Sequence, residues 1–460
     1  MNSSPWSRKK IVALAAGVVL LHAVLLFAVF PRLAAHLGTA YNQDRFTDGY
    51  DSIAANLAAG NGYRFYPDTA KTLMREPGYP VLLAGLRLAV GDSIFAVQIL
   101  NMLFALGTAA LIVLLARRFT RNPWVILAAA LLFLFHPGTL VAEGRGGVEI
   151  LFGFLTVLFF LTLVRAVQSA RLAGFLLCGL VLGLTVLVRS VLMPFPVFLL
   201  AYLLLMERQT MPARFALRNV AVMILAMFAV LSPWIVRNYS LTGRFIPTAS
   251  VLGVSAHAGH YITSHLSEGK PWWLLDREAG RQRDQLATDL GYRFDGGYYQ
   301  VFFRTEDELS FSSFLVHRVV TDYRDAPGAF IQMLFRNVFN FWFTGKTPTA
   351  TRLNLAVQLP YLLLATAGVV VGFRRQKRFV VLMLLLIGYT MAVYLPILAQ
   401  ARYSIPLVPF LSLLGAMALV PVHGAIVHRN ARAAAQSDPA PASARAEISR
   451  KETELLCPPR

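Results

Sequence analysis

Ten apolar stretches of about twenty residues recur along this chain, and they settle its fold class before any motif is considered. They begin near Ile11, Ile94, Trp124, Val148, Leu172, Val191, Asn219, Leu353, Phe379 and Tyr403. A helix rises about 1.5 Å per residue, so runs of this length cross roughly 30 Å of hydrocarbon. Lipid offers no partner to backbone N–H and C=O groups, so each such segment must satisfy them internally as a helix. Composition agrees: of 460 residues, 56% are hydrophobic and only 15% charged, where soluble domains run near a quarter. That little charge cannot cover a water-facing surface, which excludes a soluble enzyme. It also excludes a disordered chain, which needs low hydrophobicity. The first run, Ile11–Phe30, follows Arg8-Lys9-Lys10. It exceeds a signal-peptide core and lacks a small-residue cleavage site, so it reads as a retained span. The expected fold is an all-α polytopic membrane protein of about ten transmembrane helices.

The 43 Lys and Arg outnumber the 24 Asp and Glu, for a net charge of +19. In a membrane protein this excess marks cytoplasmic loops rather than nucleic-acid binding. With Arg8-Lys9-Lys10 inside, every second connection is short and basic. These carry Arg117, Arg118 and Arg121; Arg165 and Arg171; Arg208, Arg214 and Arg218; Arg374, Arg375, Lys377 and Arg378; and, in the tail, Arg429 and Arg432. Both termini are therefore expected in the cytoplasm, with two long outer loops at 31–93 and 237–352. The segments Tyr50–Ala59, closed by Gly60-Asn61-Gly62, and Tyr79–Ala89 are amphipathic and suit interfacial helices. The expected organisation is a membrane domain over 1–428, without a separate soluble domain, and a disordered tail over 429–460. Cys178 and Cys457 lie too far apart in context to pair, so neither a disulfide framework nor a cysteine metal site is expected.

The polar residues that could carry chemistry fall on the outer side. Asp48 precedes the helix at Tyr50 and reads either as its N-cap or as an acid at headgroup level that accepts a proton. Glu149 opens the fourth span, where an acid also suits the helix dipole. Arg189, Arg237 and Arg402 sit at outer span ends among apolar neighbours, against the positive-inside bias. They read either as snorkelling to headgroups or as a cluster that neutralises a phosphate through forked hydrogen bonds. Tyr50, Tyr79 and Tyr403 suit either interfacial anchoring or stacking on a sugar. His257, His260 and His265 lack metal-ligand spacing, and no metal site is expected from them. Gly144, Gly146 and Gly147 follow no strand, so no nucleotide-cradling loop is expected.

At these same residues the sequence resembles the GT-C superfamily of membrane glycosyltransferases. The closer likeness is to bacterial relatives of the dolichyl-phosphate-mannose protein mannosyltransferases and of the lipid A aminoarabinose transferases. It rests on Asp48-Gly49-Tyr50 through Ile53–Leu57 and Gly60-Asn61-Gly62-Tyr63, then Pro77-Gly78-Tyr79-Pro80 with Leu82-Leu83-Ala84. His136-Pro137, Glu149 with Leu151-Phe152, Gly183-Leu184 to Arg189, Pro233-Trp234 to Arg237-Asn238, and Arg402-Tyr403 with Pro406 and Pro409 complete it in order. The resemblance implies a polyprenyl-phosphate-sugar donor, an outward active site, and Asp48 facing the acceptor.

Together these readings lead to one expectation: transfer of a single sugar, with inversion, from a polyprenyl-phosphate carrier to a hydroxyl of an extracytoplasmic glycan, lipid or protein. Asp48 and Glu149 would be catalytic; Arg402, Arg189, Arg237, Tyr50, Tyr79 and Tyr403 would bind substrate. No cofactor is required, although a divalent cation at Glu149 is compatible with the reading, and no nucleic acid is involved. The place is the plasma (inner) membrane of a bacterium. A lipid-linked glycan transporter or flippase, and a glycan polymerase or ligase, share the topology as alternatives.

Overall fold

The computed structural model describes residues 8–36, 48–296 and 300–420. The tail expected to be disordered lies outside the described residues. Helix α1 (Arg8–Val24) runs through a π-helical turn at Leu25–Val29 into α2 (Phe30–His36). Then follow α3 (Tyr50–Ala58), α4 (Gly78–Val90), α5 (Ile94–Ala116), α6 (Pro123–Leu134), α7 (Pro137–Gly144), α8 (Val148–Ser169) and α9 (Leu172–Val188). The second half comprises α10 (Phe195–Met206), α11 (Ala213–Thr242), α12 (Leu252–His265), α13 (Trp272–Asp289), α14 (Thr305–Asp325), α15 (Pro327–Phe343), α16 (Pro348–Arg375) and α17 (Lys377–Tyr394). The last span, α18 (Ala401–Val420), opens with a 3-10 stretch over Ala401–Leu407. One short antiparallel pair joins β1 (Phe294–Asp295) to β2 (Val301–Phe302).

All ten apolar runs are helical, as the sequence predicts. Among the described residues seven helices are long and apolar enough to cross a membrane singly, and α6 with α7 forms an apolar pair of span length bent by 48°. The bend has a local cause. Pro137 occupies the first turn of α7, where its missing N–H costs nothing, and it cannot continue α6. His136 Nδ1 accepts the Thr139 N–H and caps the restarted helix. The remaining two runs are the shorter helix α9 and the segment Ser190–Met206, which contains α10.

Helices α9 and α11 pack along a close seam. At Gly179 and Gly183, four residues apart on one face, a β-carbon would press on the carbonyls of Met223 and Met227 respectively. Apolar side chains gain nothing from leaving lipid for one another, so close backbone approach over small residues supplies the attraction. Elsewhere His22 Nε2 lies 2.9 Å from Glu143 Oε2, both fully buried, and this pair fastens the first span to α7.

The long loop over 237–352 carries helices, as expected of a connection of that length, and they pack into a folded layer. Val254, Ala287, Phe302, Phe311 and Leu315 share a small core with Ile53, Tyr63, Phe65 and Met74 of the first loop. One buried carboxylate ties the layer together. Glu308 accepts from the Thr72 hydroxyl at 2.7 Å, the Leu73 amide at 2.9 Å and the Ser250 hydroxyl at 2.6 Å. Two segments distant in sequence thus converge on one side chain of a third, and the 72–76 stretch is pinned in place. Helices α3 and α4 correspond to the two expected interfacial helices, with Gly60 in the left-handed region (φ +79°) closing the first.

Overpacking a close helix seam costs about 1–3 kcal/mol. Gly179→Leu is therefore expected to lower the melting temperature of the detergent-solubilised chain and its monodisperse yield. Leu184→Ala, at an exposed position of the same helix, should leave both near the parent values; size-exclusion chromatography with thermal unfolding reads the contrast.

Candidate active site

Chain direction brings the site together. Helix α8 starts where α9 ends, α17 ends where α18 starts, and α3 enters the same region, so Glu149, Arg189, Tyr394, Arg402 and Asp48 meet at one end of the bundle. The basic turns at Arg117-Arg118, Arg165–Arg171 and Arg374–Arg378 lie at the opposite ends of these spans.

Asp48 is not the N-cap of α3. The cap is Gly49, in the left-handed region at φ +75°, and no side chain caps the helix there. A β-carbon at Gly49 would collide with the Phe65 ring, so glycine is required both by conformation and by space. The turn aims the Asp48 carboxylate at Arg402, which forks onto it: Nη1 donates to Oδ2 at 2.9 Å and Nη2 to Oδ1 at 3.2 Å. Arg75 Nε donates to the Asp48 backbone carbonyl at 2.8 Å. Burial alone would raise the Asp48 pKa; the guanidinium of Arg402, then those of Arg75 and Arg189, outweigh it. The carboxyl is held well below the usual carboxylate range.

A second pair stands beside the first. Arg189 Nη2 donates to Glu149 Oε1 at 2.7 Å, and both residues are buried. Gly147 leaves the room that Glu149 occupies, since a β-carbon there would meet its Oε2 at 2.6 Å. Tyr403 joins the two pairs: Arg189 lies 5.5 Å and Arg402 5.2 Å from its ring centroid. Tyr394 stacks on the same ring at 4.5 Å and accepts from Arg189 Nη1 at 3.3 Å.

Of the expected site residues, Asp48, Glu149, Arg189, Arg402 and Tyr403 form one constellation, with Tyr50 and Tyr79 packed edge to face at 5.5 Å beside it. Tyr79 is fully buried and donates its hydroxyl to the Gly146 carbonyl, so its ring packs in the core. Arg237 lies apart. Its Nη1 donates to the Thr72 carbonyl and to Asn238 Oδ1, each at 3.0 Å, and its guanidinium lies over Trp234 and Tyr63. Helix α11 continues past Arg237 against the pinned 72–76 stretch, so the arginine braces that stretch and shares no described polar contact with Asp48 or Glu149. Tyr63 in turn donates to the carbonyls of Arg75 and Glu76.

Sequence reasoning missed Arg75 and Tyr394, and marked Glu76 only as a departure from the family resemblance. Glu76 is buried and accepts from the Ser190 amide at 3.1 Å and hydroxyl at 2.7 Å, placing the turn after Arg189. An Arg-Glu dipeptide in an outer loop looks like ordinary solvated charge, and a tyrosine at a span end looks like an interfacial anchor, so neither carried a signal. For a metal ion, Glu149 Oε1 is already engaged by Arg189. Among the described residues no group of three His, Cys, Asp or Glu side chains stands ready to hold one.

Residues 75–234 match the family of dolichyl-phosphate-mannose-protein mannosyltransferases. The match bears out the resemblance to membrane glycosyltransferases of the GT-C superfamily over a segment that holds Arg75, Tyr79, Glu149 and Arg189, and leaves Asp48, Arg237 and Arg402 outside it. No curated protein matches the sequence. A solved structure similar to the chain is the crystal structure of ArnT from Cupriavidus metallidurans bound to undecaprenyl phosphate. It is 13% identical, covers 91% of this chain and 79% of that one, and aligns with a TM-score of 0.41. A likeness that distant carries no functional weight.

The fork makes a sign-definite prediction. An acid whose folded pKa is depressed stabilises the fold fully above the ordinary carboxylate range, about pH 4, and loses that contribution as pH falls toward the depressed value. Asp48→Asn and Arg402→Gln should each lower the melting temperature at pH 7. The double variant should fall short of their sum, because a partner left unmatched costs more than a pair removed. Additivity across the cycle would mean the pair contributes no coupling.

Proposed function

We propose that the chain is a membrane glycosyltransferase that moves one sugar from a polyprenyl-phosphate carrier to a hydroxyl of an extracytoplasmic glycan, lipid or protein, inverting the anomeric carbon. The observation that carries this reading is the convergence of two arginines and two carboxylates at one end of the bundle. That constellation can neutralise a lipid phosphate and accept a proton within a few ångströms. The family match over residues 75–234 supports the same class.

In this reading the acceptor oxygen attacks the anomeric carbon from the face opposite the carrier. The carbon–oxygen bond to phosphate breaks, and its electron pair stays on the leaving polyprenyl phosphate, which goes from a diester anion to a monoester with a second charge. The acceptor proton passes to Asp48 as general base. Arg402 and Arg189 lie where that growing charge develops and stabilise it through charge-assisted hydrogen bonds. Glu149 holds Arg189 in position and orients the sugar or acceptor. Tyr403 supports both arginines from below, while Arg237 and Glu308 hold the 72–76 stretch that delivers Arg75. The chain sits as a multi-pass protein in the inner membrane of a bacterium, with this end of the bundle outward and both termini inward.

A transporter would place its ionisable groups near the bilayer midplane. Here the constellation occupies span ends, which favours chemistry at the interface. The experiment is reconstitution into liposomes with a single-sugar polyprenyl phosphate, read by mass shift of the acceptor. Loss of a general base costs on the order of 100- to 10,000-fold in rate, so Asp48→Asn should lose transfer by that factor while still accumulating in the membrane. Arg402→Ala should lose rate chiefly through donor use. Near-parent turnover in Asp48→Asn contradicts the base assignment.

A further inference from the structure

We infer that Arg402 is exchanged between Asp48 and the carrier phosphate, so that binding the lipid-linked substrate arms the base; this rests on the function proposed above. The observation behind it is a conflict of roles. A carboxylate forked by a guanidinium at 2.9 and 3.2 Å has one lone pair of each oxygen committed, and the adjacent positive charge makes it a weaker base. The same guanidinium, so held, has its end-on fork spent on Asp48 and only its remaining N–H groups to offer a phosphate. The carboxylate and a carrier phosphate thus compete for one guanidinium edge.

Exposure shows which pair can open. The Arg402 side chain is 32% exposed and Asp48 behind it 13%, whereas Arg189 and Glu149 are 10% and 7% exposed. An incoming anion meets Arg402 first, and the Arg189–Glu149 pair stays closed. Each member of the open pair also has support that does not depend on the other. Arg402 rests on the Tyr403 ring, which Tyr394 stacks against and whose hydroxyl accepts from Gln400 Nε2 at 3.1 Å. Asp48 is fixed by the left-handed Gly49 turn and by Arg75 at its carbonyl. Releasing the fork therefore leaves both backbones in place: Arg402 turns to the phosphate, and Asp48, relieved of that guanidinium, is the stronger base toward the acceptor. As the leaving phosphate gains charge its hold on Arg402 grows, and departure of polyprenyl phosphate resets the fork. The order of events follows: donor first, acceptor second, with the base held weak until a donor is present.

The test is binding of undecaprenyl phosphate to the full chain in nanodiscs, measured by scintillation proximity or native mass spectrometry. If Asp48 competes for Arg402, removing its charge must strengthen lipid binding while transfer is lost. Asp48→Asn is expected to bind about tenfold more tightly than the parent, the scale of a close interfacial charge coupling. Asp48→Glu, which keeps the charge, should bind like the parent. Glu149→Gln removes an equally near negative charge from the closed pair and should not tighten binding comparably. Equal or weaker binding by Asp48→Asn overturns the exchange, as does equal tightening by Glu149→Gln, which would reduce the effect to net charge. If Asp48→Asn does not accumulate, Asp48→Ser serves with the same expectations. Absence of lipid binding in the parent and every variant would instead remove the donor assignment itself, and the exchange with it.

Discussion

The forked pair between Asp48 and Arg402 is the constraint on which the rest of the architecture depends. Its partners stand 354 residues apart, one before the first outer helix and the other at the start of the last span. To meet at 2.9 Å they require the whole bundle to close in register. Charge at the edge of a low-dielectric bundle is costly to leave unmatched, and the molecule meets that cost by pairing each acid of the constellation with one arginine. The result is a centre in which two carboxylates and two guanidiniums nearly balance.

The outer layer exists to hold that centre. Glu308 gathers Thr72, Leu73 and Ser250 on one carboxylate, Arg237 braces the Thr72 carbonyl, and Tyr63 bonds the carbonyls of Arg75 and Glu76. These contacts place Arg75 against the Asp48 carbonyl and Glu76 against Ser190, one residue beyond Arg189. Local opening is cheapest where few buried contacts resist it. The backbone on both sides of the Asp48–Arg402 pair is held by glycine conformation, stacked rings and buried hydrogen bonds.

Much of this was legible in the sequence, and for identifiable reasons. Span-length apolar runs left helices as the only answer, and all ten are helices. Arginines that defied the positive-inside bias, Arg189 and Arg402, proved to be members of the constellation, because an expensive charge needs a partner and the partner is visible as a nearby acid type. Arg237 broke the same bias but serves a neighbouring stretch of backbone: the bias says that an arginine has a reason, not which one. Asp48 was ambiguous between cap and acid until the left-handed Gly49 removed the cap. Arg75 and Tyr394 gave no signal, since their roles arise from three-dimensional convergence of ordinary-looking residues. That 237–352 would carry structure followed from its length, but its partner was hidden for the same reason: its core is shared with the first loop, so neither segment alone shows a complete hydrophobic pattern.

The account turns on where a lipid phosphate settles. Its most direct test is a cryo-electron microscopy structure of the chain with undecaprenyl phosphate in nanodiscs. The account requires phosphate density within hydrogen-bond reach of the Arg402 guanidinium, about 2.7–3.2 Å, with the Asp48 carboxylate no longer forked. Phosphate density at another place on the molecule, or an intact Asp48–Arg402 fork beneath a bound lipid, contradicts it.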